Sequence, residues 1–324
     1  MATYQYKKPK IALIGAGNIG GTLAHLILLK QLGDIVLFDV KEDMPQGKEL
    51  DLLHAAAIDR IDINIKGTNS YQDIKDADIV IVTAGSPRKP GMSRDDLLLI
   101  NAEVIKSVAQ AIKDYCPNAF IICITNPLDA MVYLLHKFSG VPSHKIIGMA
   151  GVLDTARFKY FLADHFKASL KNIDAFVLGG HGDTMVPLTG LSYVNGLSLD
   201  HHVNVGNISQ EDLDAIVHRT RFAGGEIVNL LKVGSAFYAP AASAIEMMEA
   251  VLFDKKQVVS AAAYIEQGYG VSRPMFLGLP IVLGANGVEK VVELPLNTNE
   301  KENMNVSVKA VLDVLADLER LGFM

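Results

Sequence analysis

Lys10-Ile11-Ala12-Leu13-Ile14-Gly15-Ala16-Gly17-Asn18-Ile19-Gly20 joins a short apolar run to a G-x-G-x-x-G turn and then to an apolar helical pattern. Each glycine has a physical task. The first permits a tight turn, the second lets the backbone approach a pyrophosphate, and the third allows close packing of strand and helix. The helix that starts at Asn18 aims its N-terminus at the phosphates. The next apolar run ends in Asp39, nineteen residues beyond Gly20. A carboxylate there accepts hydrogen bonds from ribose hydroxyls and repels a 2′-phosphate, which favours NAD over NADP. The glycine pattern alone is short and weak. Strand, helix and acidic residue in sequence make Gly15, Ala16, Gly17, Asn18, Ile19, Gly20 and Asp39 the expected cofactor-binding residues.

Outward from this segment, short apolar runs alternate with amphipathic stretches. Strands are expected at Lys10–Ile14, Ile35–Asp39, Ile79–Ala84, Ala119–Thr125 and Lys145–Gly148. Helices are expected between them at Asn18–Gln31, Gln46–Ala57, Asp95–Tyr115 and Leu128–Phe138. Alternation of this kind implies parallel pairing through right-handed crossovers, hence an α/β fold with a Rossmann-type doubly wound parallel sheet. After Gly148 the rhythm changes. A helix at Asp154–Phe166 precedes a strand at Asp174–Leu178, and a long helix after Ser209 carries Gly224-Gly225 as a kink. A helix at Phe237–Ala250, antiparallel runs near Val258–Tyr264 and Pro280–Leu283, and a closing helix at Val306–Arg320 complete the chain. This divides it into an NAD-binding domain over residues 1–150 and an α+β substrate domain over residues 151–324.

Composition narrows the function class. Half of the 324 residues are hydrophobic and the net charge is −6, so no basic face is offered to nucleic acid or an anionic membrane. The two cysteines, Cys116 and Cys123, form no C-x-x-C pair and read as reduced thiols. The N-terminal residues Met1–Lys10 lack an apolar run of signal-peptide length, and no stretch reaches spanning length without charges. A soluble, cytoplasmic protein is expected. No H-x-x-x-H or acidic cluster suggests a metal.

Four motifs follow strand ends, where such a fold places its site. Gly85-Ser86-Pro87-Arg88-Lys89-Pro90-Gly91-Met92-Ser93-Arg94 sets Arg88 and Arg94 on one hinged loop. Arginine is always charged and its planar fork matches a carboxylate, so the loop suits closure over an anionic substrate. Thr125-Asn126-Pro127 offers the Asn126 amide to a substrate oxygen, or is simply a turn. Asp154-Thr155-Ala156-Arg157 places acid and base on one helix face after a nearly all-apolar segment, which favours a buried pair over a weak surface one. Gly179-Gly180-His181-Gly182-Asp183 frees space around a histidine that can exchange a proton near neutral pH. The other eight histidines read as structural.

Taken together and in this order, these motifs resemble the lactate/malate dehydrogenase family over essentially the whole chain, and within it the lactate-dehydrogenase-like malate branch. The resemblance implies reversible oxidation of (S)-malate to oxaloacetate, a tricarboxylic acid cycle reaction, with NAD as cofactor. It implies that His181 exchanges the 2-hydroxyl proton, Asp154 orients His181, and Arg157 clamps the C1 carboxylate. Arg94 would polarise the carbonyl with help from Asn126, while Asn101, Ile124 and Thr125 join Asn126 as cofactor contacts. Arg88 would read the distal carboxylate where lactate enzymes usually carry glutamine. Leaving that charge unpaired costs about 2–5 kcal/mol, a discrimination of order tens to thousands. Lactate or another 2-hydroxy acid is the alternative substrate, and a homo-oligomer, tetramer before dimer, is implied.

Overall fold

The computed structural model describes residues 8–87 and 93–324, and of Arg94 only the backbone. In chain order the first half comprises β1 (Lys10–Ile14), α1 (Asn18–Lys30), β2 (Asp34–Phe38), α2 (Met44–Asp59), β3 (Ile65–Thr68), β4 (Ile79–Val82), α3 (Arg94–Tyr115), β5 (Phe120–Cys123), α4 (Leu128–Ser139) and β6 (Ile146–Gly148). Its six strands pair in parallel in the order β3-β2-β1-β4-β5-β6, the doubly wound arrangement expected. Ile79-Val80-Ile81-Val82 shows why: β-branched residues suit the pleated backbone, and every side chain of β4 is buried, as a near-continuous apolar run in a central parallel strand requires. The helix α3 is fixed at its start by a capping box, in which Ser93 and Asp96 satisfy each other's backbone N–H groups.

The second half adds α5 (Gly151–Phe166), β7 (Ile173–Asp174), β8 (Val177–Leu178), β9 (Val186–Pro187), β10 (Tyr193–Val194), β11 (Leu197–Ser198), α6 (Leu199–Asn204), α7 (Gln210–Leu231), α8 (Tyr238–Leu252), β12 (Gln257–Ile265), β13 (Met275–Gly284), β14 (Gly287–Val291) and α9 (Thr298–Arg320). The meander β12-β13-β14 is antiparallel and extends the parallel sheet by pairing Ala262 of β12 with Gly148 of β6, giving nine strands in all. The main core runs through both halves. A separate, smaller core around Phe158, Leu162, Val177, Met185 and Leu213 holds α5 and α7 to the two small sheets. The helix α9 closes the molecule by burying Met304, Val308, Val311, Leu315 and Leu318, each worth roughly 1.5–3 kcal/mol when fully buried.

Several expectations change, the closing helix among them: it begins at Thr298 rather than Val306. The strand expected at Asp174–Leu178 is two short strands in different sheets, because the chain crosses between them at Ala175-Phe176. Gly224-Gly225 lies within an uninterrupted α7. The helix carrying Asp154 starts three residues earlier, at Gly151, where a Cβ would lie 1.9 Å from Ser260 Oγ, so the bare backbone seats α5 against β12.

Candidate active site

The nucleotide half forms at the switch point between β1 and β4, where the strand order reverses direction. Gly15 has φ +113°, and a Cβ there would lie 2.5 Å from Thr83 Oγ1. A Cβ on Gly20 would lie 1.9 Å from the Gly15 carbonyl oxygen, so turn and helix touch directly. Gly17 faces open space, with no atom within 4 Å of its Cβ position. It precedes a helix whose first turn has neither a side-chain cap nor an acidic residue. An open glycine beside uncapped N–H groups fits a pyrophosphate. Asp39 holds the rim: its Oδ2 accepts the Ala16 N–H at 2.7 Å and its Oδ1 the Lys41 N–H at 2.9 Å.

Sequence reasoning missed Lys48 on α2, which donates to the Gly17 carbonyl at 2.8 Å. Burial lowers its pKa and the nearby Asp39 charge opposes that shift. No local pattern marks this lysine; only the packing of α2 on α1 brings it there.

Across the sheet, Ile124 and Thr125 are buried beyond the end of β5, with Thr125 Oγ1 donating to the Ala84 carbonyl at 2.7 Å. The exposed Asn126 precedes a cis bond to Pro127. Asn101 is 1% exposed and its amide is committed inside the protein. It accepts the Ser86 N–H at 2.7 Å and donates to the carbonyls of Ser86 and Asn126. Asn101 thus ties the foot of the loop after β4 to Asn126. Arg88 and the Arg94 side chain fall outside the described residues.

The second half of the site assembles around α5. Asp154 and Arg157, three residues apart, lie on one face of that helix. The Asp154 carboxylate is 3% exposed and bridges two partners: Oδ1 accepts from Arg157 Nη1 at 3.1 Å, and Oδ2 from His181 Nδ1 at 2.8 Å. An ionised carboxylate only accepts, so Nδ1 carries the proton and Nε2 is left to exchange one. Burial pushes the imidazole pKa down, but the charge and hydrogen bond of Asp154, with the Asp129 charge, outweigh burial and raise it. Arg157 uses one of its donors on Asp154, and its buried Nε has no partner. Gly224 of α7 stands beside it, a Cβ there lying 3.6 Å from Arg157 Nη2. Of the glycine pair read as a kink, Gly224 thus lies against the guanidinium, at a distance where a Cβ would make ordinary contact, while Gly225 faces open space.

The His181 turn is itself anchored from two helices. The Gly180 N–H donates to Ser307 Oγ of α9 at 2.8 Å, and the His181 N–H to Asp129 Oδ2 of α4 at 2.9 Å. Neither Asp129 nor Ser307 carries a local sequence signal. Among the described residues no three His, Cys, Asp or Glu side chains gather as a metal set, and no helix is long and apolar enough to cross a membrane.

Comparison with known proteins gives the same architecture. Residues 9–148 match the NAD-binding domain of lactate/malate dehydrogenase, and residues 151–320 its alpha/beta C-terminal domain. A malate dehydrogenase of Francisella tularensis subsp. novicida is 58% identical over 308 residues, covering 95% of this chain and 96% of the relative. The crystal structure of Cryptosporidium parvum malate dehydrogenase superposes with a TM-score of 0.93 at 47% identity, over 97% of this chain and 99% of that one. Eimeria maxima lactate dehydrogenase, crystallised with NADH and oxamate, gives 0.94 at 45% identity, over 99% and 97%. With both halves of the chain matched end to end, this protein belongs to the lactate/malate dehydrogenase family.

Proposed function

We propose that this chain is an NAD-dependent malate dehydrogenase that interconverts (S)-malate and oxaloacetate. The observation that carries the chemistry is the buried Asp154 carboxylate shared by His181 and Arg157. One group thereby sets the distance between a proton acceptor and a carboxylate clamp. Bound NAD supplies the hydride acceptor. His181 Nε2 takes the 2-hydroxyl proton in oxidation and returns it in reduction, while Asp154 holds the tautomer and stabilises the imidazolium. The unspent donors of Arg157 receive the C1 carboxylate. Arg94 polarises the carbonyl oxygen with Asn126, and Arg88 pairs with the distal carboxylate. Gly15 to Gly20 receive the pyrophosphate and Asp39 the ribose; Ile124, Thr125 and Asn126 line the nicotinamide side. Asn101 acts through Asn126 and Ser86.

Residues 1–150 serve as the cofactor domain and 151–324 as the substrate domain. The reaction belongs to the tricarboxylic acid cycle, in the cytoplasm, where the two buried free thiols remain reduced; burial pushes both up to about 12. Exposed Leu50 and Ile58 of α2, with Leu230 and Val233 at the end of α7, suit burial against further copies in a homotetramer or dimer.

Initial rates of NADH oxidation with oxaloacetate and with pyruvate, with NADPH as control, test the assignment. A strong oxaloacetate preference that drops roughly ten- to a thousandfold in Arg88→Gln is expected. A pyruvate preference in the unaltered protein would replace malate by lactate, the activity named for the Eimeria maxima neighbour.

A further inference from the structure

A carboxylate that the proposed reaction leaves unused lies beneath the same turn. Asp129, the second residue of α4, is 8% exposed. Its Oδ2 accepts the His181 N–H at 2.9 Å, while its Oδ1 is buried with no hydrogen-bond partner. Among the described residues no lysine or arginine lies within ion-pair distance of it. The opposite charge that acts on it is the imidazolium of His181, and Asp154 acts as a like charge. An amide oxygen would satisfy one N–H equally well. A carboxylate adds only a second oxygen, which is costly to bury unpaired, and a negative charge.

We propose that Asp129 is a positioning residue that anchors the His181 backbone and acts with Asp154 as a second counter-charge to protonated His181. This rests on the reading of His181 as the acid–base group. Among the described residues the charged groups facing His181 are Asp154 and Arg157 from α5 and Asp129 from α4; α9 presents the neutral Ser307. Two carboxylates then flank the imidazolium formed when the hydroxyl proton is taken up. Burial pushes the Asp129 carboxyl up to about 6, so its charge is present at pH 7 to 8 and fades below. Removing that charge lowers the His181 pKa and moves the corresponding limb of the rate profile to lower pH.

The test is a ring titration of 13C-histidine-labelled protein by NMR, without nucleotide, the His181 signal being identified by its loss in His181→Gln. Asp129→Asn keeps the acceptor and removes the charge; Ser307→Ala removes the other anchor of the turn without touching any charge. Asp129→Asn is expected to lower the His181 pKa by about 1 unit, with Ser307→Ala shifting it by a few tenths at most. The pH limb of oxaloacetate reduction should move with it. An unmoved His181 pKa in Asp129→Asn, or equal shifts in both variants, overturns the electrostatic role. A shifted pKa with an unmoved rate limb instead overturns the acid–base role of His181, and with it the part of Asp129 in the reaction. Should Asp129→Asn fail to fold, the unaltered protein decides: the His181 signal must show a second inflection near pH 6 as Asp129 titrates, and a single-step curve overturns the coupling.

Discussion

The turn from Gly15 to Gly20 and the turn from Gly179 to Asp183 both follow a strand and both hold a positive-φ glycine, Gly15 at +113° and Gly179 at +86°. They are held in different ways. The first is built mainly from consecutive elements, β1 and α1, with Asp39 just past the adjoining β2; Lys48 on the Gly17 carbonyl and Thr83 Oγ1 on the Gly15 carbonyl are its more distant side-chain contacts. It offers backbone N–H groups and space. The second offers one side chain, and its partners lie far along the chain. Asp154 is 27 residues from His181, Asp129 is 52 residues from it, and Ser307 is 127 residues from Gly180. A site made of backbone can be specified locally, whereas a site made of side-chain electrostatics needs the whole fold.

The largest expected effect separates the two turns outright. In His181→Gln, kcat for oxaloacetate reduction should fall about a thousandfold, the scale of a lost general acid–base group. NADH affinity, followed by fluorescence titration, should stay within a factor of two or so, since the glycine turn is untouched. A comparable loss of NADH affinity would mean that the two turns are one cooperative unit.

Within the first turn, glycines should split between folding and binding. Gly20→Ala forces a Cβ against the Gly15 carbonyl, which is backbone and cannot swing away, so about 1–3 kcal/mol of stability should be lost. Gly17→Ala meets no protein atom, and its melting temperature should stay near that of the unaltered protein while NADH binding weakens at least tenfold. Equal melting losses in the two variants would remove the case for an open phosphate cradle at Gly17. Asp39→Ala should have a smaller effect, about tenfold weaker NADH binding with a reduced preference over NADPH, because one charge-assisted acceptor and its repulsion of a 2′-phosphate are gone.

The same contrast explains what was legible in the sequence. The parallel sheet, the glycine turn and Asp39 follow from runs of adjacent residues. By contrast β3, with Ile65 followed by Lys66-Gly67-Thr68, has no apolar run and forms because β2 offers it an edge. The Asp174–Leu178 run reads as one strand, since nothing local records that the chain changes sheets within it. His181, Asp154 and Arg157 each carry a motif, and the fold joins them through one carboxylate. Asp129, Ser307 and Lys48 carry none: an aspartate in the first turn of a helix reads as a helix-dipole residue until the turn it holds is in view. Arg88, which carries the substrate distinction in the sequence, lies outside the described residues.

The smallest effect tests whether the second turn retains a cost in stability for its charge. The folded-state pKa of Asp129, about 6, lies above the unfolded value of 3.8, so the native state binds that proton more tightly than the unfolded chain. Its contribution to stability is therefore greatest below about pH 4 and declines as pH rises through 6. His181 works in the same direction over the next interval. Its pKa is raised above 6.5, so its contribution is present below that value and lost as pH rises through the folded one. Asp129→Asn removes the first decline and, by lowering the His181 pKa, weakens the second. Melting curves of the two proteins from pH 4.5 to 7.5 should therefore diverge, the variant gaining a few degrees relative to the unaltered protein across pH 5 to 7. Parallel curves would mean that Asp129 stays neutral throughout and anchors the turn as a plain acceptor, leaving Asp154 alone to balance the imidazolium.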